Sequence, residues 1–241
     1  MNVEKIKVIA MDLDGTLSQH KQPLPPENRA TLEALAKKYK LLMAGAGQVM
    51  RVFRQMEEFP IDIIGSYGMQ YGEYNHATGT LEIKRDMVLP CERESVDKRV
   101  AELRKEFGLT QFAGENTEFH ASGAVTFPCL GTKAQLPEKL AFDPDRSKRR
   151  AWYPRVCEMF PDYTVFIGGT SSFDMAPAPY NKYYALDLFC REAGLSHENA
   201  VYIGDDYGPG GNDESVYKSD FPYLTIDNYL DFPNVVAPLL R

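Results

Sequence analysis

The chain has 241 residues, 44% hydrophobic and 25% charged, ordinary values for a folded protein with a sizeable core, either one large domain or a domain carrying an insertion. A net charge of −7, with lysines and arginines spread along the chain, leaves no compositional case for nucleic acid, so an anionic ligand has to be met by a few local cations and a metal. Cys91, Cys129, Cys157 and Cys190 have no C-x-x-C spacing and read as reduced buried thiols. With no long apolar span and no signal-like leader, the expectation is a cytoplasmic protein with no membrane contact.

In chain order, Lys5 to Met11 is short, apolar and partly β-branched, which predicts a buried strand of a parallel sheet. It runs into Asp12-Leu13-Asp14-Gly15-Thr16-Leu17, two carboxylates at a strand's carboxyl end, where open parallel sheets bind ligands. Such a pair favours a bound cation or one protonated carboxyl, which suits a nucleophile and a proton donor working with a divalent metal. The plainer alternative is a strand-to-turn connection, since Asp and Gly are ordinary turn residues.

A polar, proline-containing loop, 18–26, precedes a predicted helix over 27–39. A second strand, Leu41 to Ala44, ends in Gly45-Ala46-Gly47, small residues past which backbone N–H groups of Gly45 and Ala46 could approach an anion, with the helix from Gln48 aimed at it. A plain tight turn fits this segment equally well. That amphipathic helix spans 48–58, a third strand lies at 61–64, and 70–85 reads as a β-hairpin turning near Ala77-Thr78-Gly79. Strand–helix–strand–helix–strand predicts a doubly wound α/β sheet.

The rhythm then breaks. A charged helix (92–107), short strands (118–120 and 124–127), a basic helix (145–160) and a strand (163–167) suggest an α+β insertion. The basic cluster Arg146, Lys148, Arg149 and Arg150 reads as a solvated helix face. The α/β rhythm returns with a helix over 181–192, a core strand, Ala200 to Ile203, ending in Gly204-Asp205-Asp206, and a short strand near Tyr223 to Ile226. Parallel strands would gather Asp12 and Asp205 at one edge, a hard-oxygen site suited to magnesium, with Lys182 as compact counter-charge.

The Asp-x-Asp-Gly-Thr motif resembles the first motif of the haloacid dehalogenase (HAD) superfamily of phosphoryl-transfer enzymes. Ile167-Gly168-Gly169-Thr170-Ser171-Ser172-Phe173-Asp174, with Pro177 and Lys182, resembles a segment of the eukaryotic phosphomannomutases. Gly204 to Asp213 follows their fourth motif, Gly-Asp-x-x-x-Pro-Gly-Gly-Asn-Asp. The resemblance implies a HAD-like doubly wound parallel-sheet core, residues 1–86 and 180–241, with an inserted α+β cap domain, residues 87–179. It implies Asp12 as nucleophile, Asp14 as general acid and base, and Mg2+ held by Asp12, the backbone carbonyl of Asp14, and Asp205. Lys182 then balances charge, and Ser172 and Asp174 contact a small-molecule phosphorylated substrate.

Two departures qualify that reading. The superfamily's second motif usually offers a Ser or Thr hydroxyl to phosphate, which Ala44, Ala46 and Gly47 lack. The cap arginines that grip a distal phosphate in the mutases are missing, and His120, Thr132 and Lys133 stand nearest their places. Losing two bidentate clamps undermines mutase chemistry more than hydrolysis. The expectation is therefore a Mg2+-dependent phosphatase for a small metabolite such as a sugar phosphate, with phosphomannomutase as the alternative and a non-catalytic binding protein as a third class. His120, Lys133, Ser172 and Asp174 are the expected specificity residues.

Overall fold

The computed structural model describes residues 1–241. Strand β1 (Val8–Met11) leads through helix α1 (Pro26–Leu35) to β2 (Lys40–Ala44), and through α2 (Val49–Gln55) to β3 (Asp62–Gly65) and the hairpin β4 (Gln70–Asn75) and β5 (Thr80–Asp86). The chain then builds a second unit: α3 (Arg93–Glu106), β6 (Glu118–Phe119), β7 (Val125–Pro128), α4 (Leu136–Phe142), α5 (Ser147–Met159), β8 (Tyr163–Gly168) and β9 (Ser172–Pro177). It returns through α6 (Lys182–Glu192), β10 (Ala200–Gly204), α7 (Glu214–Tyr217), β11 (Tyr223–Thr225) and α8 (Phe232–Leu240). One compact unit comprises Met1–Asp86, Asn181–Gly208 and Asp213–Arg241. The other comprises Met87–Tyr180 with Pro209–Asn212.

The first unit holds a seven-stranded sheet in the order β11-β10-β1-β2-β3-β4-β5. Its first five strands are parallel and the hairpin closes one edge antiparallel. Alternate residues of each parallel strand supply two cores, as a period of two requires. Ile9, Met11, Leu41, Met43, Ile63, Val201 and Ile203 pack with Leu32, Val52 and Val236 from α1, α2 and α8. Val8, Ala10, Leu42, Ala44, Ile64 and Tyr202 pack on the other face with Leu186, Phe189 and Val216 from α6 and α7. Both faces are covered, so this is the doubly wound α/β layer expected of the sequence.

In the second unit a four-stranded antiparallel sheet, β6-β7-β9-β8, packs one face on α3 and α5 through Val96, Val100, Leu103, Val125, Phe127, Val156, Phe173 and Met175. Helix α4 has no counterpart among the elements expected from the sequence, whereas β9 is the alternating polar strand that the residues around Ser172 and Asp174 also allow. The basic face of α5 corrects the sequence reading at one position. Arg149 is 1% exposed, paired with buried Asp143 at 2.9 Å, and it donates to the carbonyls of Gly168 and Ser172 at 2.7 and 3.2 Å. A buried guanidinium is tolerable because its N–H groups are satisfied. Helix α2 is also shorter than expected, because Glu57 and Glu58 adopt left-handed backbone angles that end it.

Candidate active site

Parallel pairing of β1 with β10, Met11 opposite Ile203, brings their carboxyl ends together, and Asp12 N–H continues the ladder by donating to Ile203 O at 3.0 Å. Beyond β1 the chain turns at once: the N–H groups of Thr16, Leu17 and Ser18 all point to Leu13 O. Gly15 sits at φ +96°, and a Cβ there would overlap the Asp205 carboxylate, so position 15 needs glycine for both backbone angle and space. Thr16 Oγ1 donates to Asp205 Oδ1 at 2.9 Å.

Lys182 opens α6, capped by the Asn181 side chain, and is only 1% exposed. Its Nζ lies 3.0 Å from Asp12 Oδ2 and 2.7 Å from Asp213 Oδ1. Asp213 is fully buried and also accepts from the Tyr202 hydroxyl at 2.6 Å and from Asp206 N–H at 3.0 Å. Burial lowers the ammonium's pKa, but the two carboxylates outweigh it and hold Lys182 charged. One ammonium does not neutralise three carboxylates. Burial, with repulsion from Asp213 and Asp205 against the pull of Lys182, pushes Asp12 up to about 8, and burial with Asp213 pushes Asp205 up to about 6.

Oxygens of Asp12, Asp205 and Asp213 lie within 4.8 Å of one another. A hard, all-oxygen donor set with surplus negative charge fits Mg2+. Asp12 and Asp205 are two of the expected ligands, and Asp213 joins them as a third carboxylate; the third ligand expected from the sequence is the backbone carbonyl of Asp14 rather than its side chain. Asp14 turns its side chain elsewhere: Oδ1 accepts from Lys21 N–H at 2.8 Å and Gln55 Nε2 at 2.7 Å, and Oδ2 faces His20 Nδ1 at 3.6 Å. Two donors on Oδ1 leave Oδ2 as the oxygen able to carry a proton. The sequence groups Asp213 with Asp205 but leaves its contact with a metal open, and the roles of Tyr202 and Gln55 were missed. Asp213 closes the fourth motif and was visible there, whereas nothing in the sequence marks Tyr202 or Gln55.

Gly45 lies against the Asp12 carboxylate, but its N–H is taken by Ile64 O at 2.9 Å. The first N–H of α2, on Val49, is taken by Gln70 Oε1 at 3.1 Å. These two donors, Gly45 N–H and Val49 N–H, are therefore engaged inside the fold. Ala46 is exposed on the same loop.

In the second unit His120 and Asp174 meet through Thr126, whose hydroxyl donates to Asp174 Oδ1 at 2.9 Å and lies 3.0 Å from His120 Nε2. Having donated to Asp174, the hydroxyl accepts from His120 Nε2–H. Glu118, Thr126 and Asp174 are register partners across the sheet and share its face. Ser172 Oγ donates to Gly168 O at 3.1 Å. Lys133 is exposed on the loop after β7 and stands apart from this group of bonds.

Comparisons with known proteins agree with this architecture. The chain matches the family model of eukaryotic phosphomannomutase over residues 29–233. It is 24% identical to phosphomannomutase of Saccharomyces cerevisiae over 244 residues, covering 97% of this chain and 92% of that one. It is 26% identical to phosphomannomutase of Encephalitozoon cuniculi, covering 88% and 84%. Among solved structures, an N-terminally truncated IMP-nucleotidase of Plasmodium falciparum superposes with a TM-score of 0.74 at 14% identity, over 98% of this chain and 71% of that one. A haloacid dehalogenase-like hydrolase of Bacteroides thetaiotaomicron gives 0.55 at 16% identity, over 96% and 98%. These structural likenesses speak for the fold alone. A family match across most of the chain says more: the protein belongs to the eukaryotic phosphomannomutase family, on a HAD fold.

Proposed function

We propose that the protein is a Mg2+-dependent phosphoryl-transfer enzyme that hydrolyses a small sugar phosphate. The observation that carries this reading is the buried Lys182–Asp12–Asp213 network beside Asp205 at the sheet's carboxyl edge. Asp12, Asp205 and Asp213 would hold the metal or orient its ligands, and the bound ion supplies charge neutralisation for an anionic substrate. Lys182 holds Asp12 Oδ2, which leaves Oδ1, on the side of Gly45, as the nucleophile. Attack on phosphorus forms an aspartyl-phosphate and breaks the ester P–O bond, and Asp14 Oδ2 gives its proton to the leaving alkoxide. Asp14 then takes a proton from water, which attacks the aspartyl-phosphate, releases phosphate and restores Asp12.

A second reading, isomerisation of mannose phosphates, is favoured by the family match, which supports it more directly than hydrolysis. Hydrolysis is favoured by the second unit's sheet. A mutase needs cations there for a second phosphate, but the outward row carries Glu118 and Asp174, and His120 is tied to Thr126. Arg104 and Arg149, two of that unit's arginines, are buried and donate to backbone carbonyls of Pro128, Cys129, Gly168 and Ser172. An acidic face repels a second phosphate and suits sugar hydroxyls. The deciding experiment incubates purified protein and Mg2+ with mannose 1-phosphate, with and without a hexose bisphosphate activator, and follows both inorganic phosphate and mannose 6-phosphate. Phosphate release is expected to dominate, and faster interconversion of the two esters would establish the mutase instead.

A further inference from the structure

The core site has a gap in its cation supply. Its one buried ammonium, Lys182, is engaged by Asp12 and Asp213, and the loop 44–47 offers no hydroxyl. The N–H groups of Gly45 and Val49 are taken within the fold. Besides a bound metal, a side-chain cation is wanted to meet the oxygens of a bound phosphoryl group.

Arg51 lies at that place. It projects from α2 back over Gly47, so closely that a Cβ at position 47 would overlap Nη2, Nε and Cζ of its guanidinium. Nη1 donates to Gln55 Oε1 at 2.8 Å, one turn on, and Gln55 Nε2 donates to Asp14 Oδ1 at 2.7 Å. One amide side chain thus separates the guanidinium from the candidate acid–base carboxylate. The Arg51 side chain remains exposed, and Nη2 and Nε are directed to the glycine loop whose first residue borders Asp12.

We propose that Arg51 is the phosphate-gripping residue of the core, its guanidinium taking the part that a hydroxyl on the loop 44–47 would otherwise play. This rests on the phosphoryl-transfer reading above. Glycine at 47 leaves the guanidinium this place over the loop, although a flexible arginine could swing aside from a side chain there. A planar fork with N–H groups to spare suits two oxygens of a tetrahedral phosphate. The bond to Gln55 fixes the fork and aligns it with Asp14.

The test measures binding of inorganic phosphate, as probe, to the full-length protein in Mg2+ by calorimetry, alongside kcat and KM for a phosphate ester. Arg51→Ala is expected to weaken phosphate binding about 10- to 100-fold, the worth of a charge-assisted bond. Its melting temperature should stay near wild type, since the residue is exposed. Adding Gly47→Ser to Arg51→Ala should recover much of the affinity, because the hydroxyl then has room. Gln55→Ala should lower kcat while keeping phosphate affinity, which separates direct contact from an effect relayed through Asp14. Phosphate affinity within twofold of wild type in Arg51→Ala, equal losses in Arg51→Ala and Gln55→Ala, or no phosphate binding by the wild type overturns the assignment. Arg51-dependent phosphate binding without turnover of any sugar phosphate sinks the proposed function and leaves Arg51 standing.

Discussion

The two units handle charge in opposite ways. In the core, Asp12, Lys182, Asp213 and Tyr202 are buried and share short bonds, each restricting the next. On the second unit's sheet, His120, Thr126 and Asp174 form a chain that ends at an exposed imidazole. A buried network holds fixed positions for atoms whose charge changes during reaction, so it suits chemistry common to many phosphate esters. An open polar row can exchange partners with a ligand's hydroxyls, so it suits recognition. The difference teaches that reaction and selectivity can be disturbed separately.

The comparison breaks first, and most severely, at Asp12. Asp12→Asn removes the proposed nucleophile but keeps a group of the same shape beside Lys182. Turnover of every phosphate ester should fall by on the order of 10⁴ or more, with the circular dichroism spectrum unchanged. Substantial activity in that variant, or full activity of wild type in excess chelator, removes the core from the mechanism. Asp14→Asn comes next. General acid–base catalysis contributes about 10²–10⁴-fold, and the loss should shrink for esters with good leaving groups, which need less protonation. Equal losses across a leaving-group series would show that Asp14 does not transfer the proton.

The recognition half is sharpened by Asp174→Ala and Lys133→Ala. Each should change kcat/KM ratios among sugar phosphates by about tenfold, one hydrogen bond's worth, while a small generic ester is turned over as before. Uniform losses across all substrates would move these residues out of a selective role. The smallest effect lies in the core, away from its carboxylates. Burial lowers the pKa of His197, but bonds to Asp220 at 2.6 Å and Asp187 at 3.0 Å outweigh it, so the imidazole titrates above its ordinary value. A raised histidine contributes stability that is complete below its unfolded pKa, about 6.5, and is lost as pH climbs through the folded value. His197→Gln should therefore lower Tm more at pH 6 than at pH 9, by about 2–4 °C, with activity spared. A larger penalty at pH 9 would refute the ion pairing.

Much of the core was legible because its signals are local. Apolar runs ending in Asp12 or Gly204-Asp205 announce strands and their carboxyl ends, and parallel pairing then forces those ends together. The second unit was less legible. Helix α4 shows no apolar stripe to read, since Leu136 and Leu140 are exposed, whereas the alternation of polar Ser172 and Asp174 with apolar Phe173 and Met175 already allowed a strand at β9. Arg149 misled for a different reason: its four-residue basic neighbourhood looks like a solvated face, and only tertiary packing with Asp143 buries it. Asp14 and Gln55 meet across 41 positions of sequence, a pairing that no short pattern encodes.

The buried Arg149 has a bearing on how this protein could change over generations. Its guanidinium ties the turn between β8 and β9 from behind, through the carbonyls of Gly168 and Ser172. Because those bonds involve main-chain oxygens, they are indifferent to which side chains the outward row displays. Selection can therefore rewrite Thr126, Ser172 or Asp174 one at a time without unravelling the hairpin. A scaffold anchored in this manner would favour retargeting under the proposed recognition role: single substitutions on this row would change what it binds while Arg149 holds its shape.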